Sequence, residues 1–167
     1  MTAKTKNFRT LTMLLLAWAF AGCERSTRVR VEGGTSPVFV LSGSGALGNL
    51  AVYSPDYAAK AEVPFDENFM LWEIKPIAGD LEGAPVENLR SITYGVVPLG
   101  YAQARPQAGS VPALKEGQKY FYQFVTTGAP WASGYFEIRN SHVVSTDGPG
   151  VCFTRKDNKW IRITCPQ

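Results

Sequence analysis

The chain has 167 residues, 45% of them hydrophobic, and a formal net charge of +3. Lys4, Lys6 and Arg9 precede an apolar run, and losing them with a leader takes the 17 basic residues to 14, level with the 14 acidic ones. The remaining chain is long enough for one domain with its own core, but neutral, which excludes the long-range field that gathers nucleic acid.

The apolar run from Leu11 to Ala21 is about half the roughly 20 residues that a bilayer-spanning helix needs. Positive residues, a short apolar stretch and small residues before a cysteine form the layout of an export signal. Phe20-Ala21-Gly22-Cys23 resembles the lipobox of bacterial lipoproteins, with Phe where that pattern prefers Leu. The resemblance implies cleavage before Cys23, which then carries a thioether-linked diacylglycerol and an amide-linked acyl chain. Two or more chains anchor stably where one holds only marginally. In such lipoproteins of Gram-negative envelopes, Asp after the cysteine favours inner-membrane retention. Glu24 stands there instead, which points to the outer membrane. Residues 1–22 are thus the expected leader, 23–36 the lipid-anchored N-terminus with a short tether or first strand, and 37–167 the folded domain.

Arg28 and Arg30 alternate with Val29 and Val31 as on a half-buried strand, and with Arg25 they offer cations near the lipid. Glu32 to Pro37 reads as a loop or tether. Val38 to Leu41 is a continuous apolar run. Gly43-Ser44-Gly45-Ala46-Leu47-Gly48 matches the G-x-G-x-x-G of dinucleotide sites, but Pro55 leaves no room for the helix that motif requires. A glycine-rich hairpin turn is expected there. Leu50 to Tyr53 reads as a strand, and Ser54-Pro55 as the start of a short helix through Ala61. Asp66-Glu67 lies in a polar loop without the alternating pattern of a calcium loop, so a solvated turn is expected.

Met70, Trp72 and Ile74 alternate with Glu73 and Lys75, and Ile92, Tyr94 and Val96 with Ser91 and Thr93. Pro98 to Pro112, rich in proline, reads as an irregular connection with one short strand. Tyr120, Tyr122 and Phe124 alternate with Phe121, Gln123 and Val125, as in a strand covered on two faces. Phe136 and Ile138 oppose Glu137 and Arg139. Val151 to Thr154 and Trp160 to Thr164 flank the polar Lys156 to Lys159, a hairpin signature. An oxidising compartment would leave Cys152 and Cys165 as a disulfide pair, and closing a loop of about 14 residues adds about 3 kcal/mol. Together these runs predict an all-β antiparallel sandwich, resembling immunoglobulin or fibronectin type III domains, with Trp72 as core tryptophan.

Chemistry-bearing residues are sparse. His142 is the lone histidine, in a turn-like context, and no G-x-S-x-G elbow occurs. No cofactor or metal set is expected. Trp131 lies among loop residues in Gly128 to Gly134, and Tyr57 and Tyr101 in similar company, so these three rings are candidate ligand contacts. The leading expectation is a lipid-anchored, non-enzymatic envelope protein that contacts a protein or glycan partner, bound to membrane through Cys23. The alternatives are an envelope hydrolase built around His142 and a carbohydrate-binding module using the exposed aromatics.

Overall fold

The computed structural model describes residues 26–77, 83–146 and 152–163, so Cys23 and Cys165 lie outside the described residues. Among these, strands β1 (Arg28–Gly33), β2 (Pro37–Ser42) and β5 (Ser91–Thr93) form one antiparallel sheet in the order β1-β2-β5. A six-stranded sheet runs β6 (Tyr101–Arg105), β4 (Met70–Pro76), β3 (Ala46–Tyr53), β7 (Lys119–Thr127), β8 (Ala132–Arg139), β9 (His142–Thr146). The two make an all-β sandwich. One-turn helices α1 (Tyr57–Lys60) and α2 (Val86–Leu89) link strands, and β10 (Cys152–Lys156) and β11 (Lys159–Ile163) form a separate hairpin.

Strand alternation builds the core between the sheets. Phe39 on β2 meets Tyr122 edge-on at 5.5 Å and Phe136 at 6.0 Å, so one ring stitches β2 to β7 and β8. Trp72 on β4 is fully buried with its ring 5.3 Å from that of Tyr94, in the core position expected for it. The outer face of the six-stranded sheet carries a second cluster, in which Tyr57 from α1 stacks on Tyr53 at 4.1 Å and on Phe121 at 5.2 Å. That two-sided cover is why Tyr120 to Val125 is apolar but for Gln123.

Several local expectations change. Gly43 to Gly45 join strands of different sheets, so they form a corner rather than a hairpin. Gly43 and Gly45 have φ of +103° and +95°, and a Cβ on Gly43 would strike Ser26 O. Glu32 to Pro37 is the β1–β2 turn and ladder end, which makes β1 part of the sandwich body. Met70 packs in the outer cluster, opposite Trp72 and Ile74, because a bulge at Val52/Tyr53 shifts the register. The strand expected through Val96 stops at Thr93, and Val96 is exposed beyond the Gly95 turn. The helix near Ser54 starts only at Tyr57, with Asp56 at its N-cap.

Phe39→Ala removes the ring that joins three strands and is expected to cost about 3–5 kcal/mol in chemical denaturation. Burial pushes the hydroxyls of Tyr53, Tyr57, Tyr94, Tyr122 and Tyr135 above the ordinary tyrosine value. The native state therefore keeps protons that the unfolded chain releases above about pH 10, so stability is full below that pH and falls as pH rises past it. Tyrosinate absorbance from these five rings should appear together with loss of tertiary structure in an alkaline titration, not before it.

Candidate functional site

The described chain enters the sandwich at one rim of the large sheet. Thr27 is buried there; its hydroxyl donates to Ser44 O at 2.8 Å and lies 3.4 Å from Thr126 Oγ1. Thr126 Oγ1 in turn lies 3.0 Å from Ala129 O and 3.3 Å from Pro130 O, tying the β7–β8 turn to the entry point. Gly128, with φ of +75°, lets that turn double back, and the chain passes Trp131 before β8 begins. Trp131 is 56% exposed, braced on one side by Phe65, whose ring lies edge-on at 5.9 Å. It is the one predicted contact aromatic that faces solvent.

Tyr57 and Tyr101 are corrections. Tyr57 is buried by stacking on Tyr53 and Phe121, as described above. Tyr101 is buried because its hydroxyl donates to Leu47 O and accepts from Ala84 N, both at 2.9 Å. It braces the opposite part of the same rim and leaves no ring free for a ligand. The flanking turn residues made both look exposed, but a tyrosine inside a loop often serves as the loop's own anchor.

The residues that the expectations missed sit nearby. Pro76 and Tyr101 form the last pair of the β4–β6 ladder, and beyond them Ile77 N–H donates to Gly100 O at 3.0 Å. Ile77 is 53% exposed and Leu99 wholly exposed, following exposed Val96 and Val97. The signal was there: Val96-Val97-Pro98-Leu99 is an apolar run between two glycines, too proline-bound to form a strand.

The other candidates are placed elsewhere. His142 opens β9 at the far end of the sheet, exposed, with Nδ1 2.8 Å from Asn140 O. Asn140 and Ser141 both have positive φ, which makes this a two-residue hairpin turn, and the Glu116 carboxylate accepts from both of their backbone N–H groups. Asp66 caps a turn of 3-10 helix by accepting from Asn68 N at 3.1 Å, and Glu67 pairs with Arg105. Both carboxylates thus have structural work in that loop. Among the described residues, no group of three His, Cys, Asp or Glu gathers where a metal ion would fit. Arg30 pairs with Glu32 at 2.7 Å on the solvent side of β1, leaving Arg28 exposed at the entry rim. The Cys152 backbone pairs with Ile163 in the β10–β11 ladder; its expected partner, Cys165, lies outside the described residues. Two open grooves, of about 490 Å³ beside Tyr94 and Gln103 and about 400 Å³ beside Asp56 and Lys115, share Pro112 and Ala113 as a wall.

No protein-family model, curated protein or solved structure matches the chain.

Tyr101→Phe leaves the Ala84 N–H and the Leu47 carbonyl without their partner and should cost about 1–3 kcal/mol in thermal or chemical unfolding. Trp131→Ala, at an exposed position, should cost about 1 kcal/mol or less. The opposite ranking would mean that Trp131, not Tyr101, is the structural ring.

Proposed function

We propose that the chain is a lipid-anchored, non-enzymatic protein of the cell envelope, an outer-membrane module that contacts a protein or glycan partner. The lipobox-like Phe20-Ala21-Gly22-Cys23 supports the anchor. The observation that carries the reading is how few residues separate Cys23 from buried Thr27. Thr27 is already held in the sandwich only four residues after Cys23, a span of at most about 14 Å. A body with a buried residue so soon after the acylated cysteine works as a module held against its membrane, not one reaching out on a long linker. In an oxidising envelope Cys152 and Cys165 would pair, stapling the end of the chain to the β10 strand.

The carbohydrate-binding alternative loses Tyr57 and Tyr101 and rests on Trp131 alone, where a sugar platform would use several polar groups around its ring. The hydrolase alternative has at its centre a turn histidine whose Nδ1 meets a backbone carbonyl.

Inhibiting lipoprotein signal peptidase with globomycin is expected to accumulate the uncleaved precursor. Mass spectrometry of the mature protein should show an N-terminus at Cys23 carrying acyl chains. Cys23→Ala should release the protein from the membrane fraction. A soluble, unmodified wild-type protein would sink the proposal.

A further inference from the structure

We infer that the rim bearing Thr27 is the face the domain turns to the lipid bilayer, with Trp131, Ile77 and Leu99 at headgroup depth. The inference rests on the lipid-anchored reading and adds the orientation that reading leaves open.

The topology places these side chains together. Thr27 is tied through Thr126 to the turn before Trp131, and Leu47, the neighbour of Thr126 in the β3–β7 ladder, takes the Tyr101 hydroxyl. Tyr101 opens the strand that follows Leu99 and Gly100, and Gly100 is bonded to Ile77. From β6 to β8 the rim crosses four strand intervals, about 19 Å at the usual sheet spacing. Along it, Ile77, Leu99 and Trp131 are exposed by 53%, 101% and 56%.

The tether selects what covers them. About 14 Å of chain separates Cys23 from Thr27 at full stretch. The His142 turn lies at the other end of β8, a strand of eight residues that covers about 26 Å. Acyl chains on Cys23 therefore hold the Thr27 rim near the lipid and keep the His142 end out of its reach. The side chains at the rim suit that setting. Tryptophan is amphipathic and favours the membrane–water interface, and isolated apolar tips gain by leaving water there. Arg28, exposed at the start of β1, supplies a cation for anionic head groups. Glu87 on α2 is also exposed near this rim, so apolar contact rather than net charge carries the orientation.

The test uses the full-length protein, processed in cells and reconstituted into phosphatidylethanolamine–phosphatidylglycerol vesicles with brominated acyl chains. After removal of the leader, Trp72, Trp131 and Trp160 remain, and Trp72 is sealed in the core. In a Trp160→Phe background, bromolipid is expected to remove most of the exposed tryptophan's emission, while acrylamide in the water quenches it poorly. Adding Trp131→Phe should abolish the bromolipid effect. In that double background Leu99→Trp should restore the quenching and His142→Trp should not. Protein that floats with vesicles and carries acyl chains, yet shows Trp131 and Leu99→Trp quenched only from water, would overturn the orientation while leaving the anchor intact. The rim would then be open to a protein or glycan. Protein that is not acylated would overturn both.

Discussion

A relay of threonine hydroxyls decides where the polypeptide enters this sandwich. Thr27 reaches Ser44 across the corner between the sheets and Thr126 on the central strand pair, and Thr126 holds the carbonyls of Ala129 and Pro130. These groups are buried or partly buried, so each would be costly to leave without a partner. The relay fixes Thr27 against both a glycine corner and a hairpin turn.

The large sheet is covered on two sides by different means. Its inner face packs against the three-stranded sheet through Phe39, Tyr122 and Phe136. Its outer face is covered at one end by the β3–β4 connection, which lays Tyr57 over Tyr53 and Phe121. Beyond that cover the outer face is polar: Glu73, itself buried, accepts from Asn49 Nδ2 at 2.8 Å and pairs with Lys75 at 3.1 Å. Phe65 ends the cover by meeting Trp131, so the exposed tryptophan marks the boundary between the aromatic shield and the open rim. The Arg162 guanidinium on the β10–β11 hairpin reaches the Ala58 carbonyl, bringing that hairpin to the same shield.

The fold was legible wherever period-2 alternation ran undisturbed. Phe136 and Ile138 against Glu137 and Arg139 is the plainest case, with the two charged residues paired at 2.6 Å on the solvent side. The β10–β11 hairpin was equally readable, because Asp157 and Asn158 both adopt positive φ, as a two-residue turn demands. Alternation misled where backbone irregularity intervened. A bulge carries Met70 to the face opposite Trp72, and the strand ends at Thr93 before Val96 can take its turn inward. Long-range partners were not legible at all. Nothing local to Tyr101 announces that its hydroxyl joins Leu47 to Ala84, and nothing local to Thr27 announces Thr126. The exposed apolar loop was visible as a string of residues, but its place on the rim that also bears Trp131 emerges only from the strand order.

The β3–β7 ladder, Ala46 to Tyr53 against Thr127 to Phe121, has a temporal consequence. About 80 residues separate Ala46 from its partner Thr127, and pairings so distant along the chain close slowly. Phe39 of the three-stranded sheet likewise meets its ring partners, Tyr122 and Phe136, only once β7 and β8 exist. During synthesis the central β3–β7 pairing and the aromatic contacts of Phe39 can therefore close only after β7 and β8 have emerged.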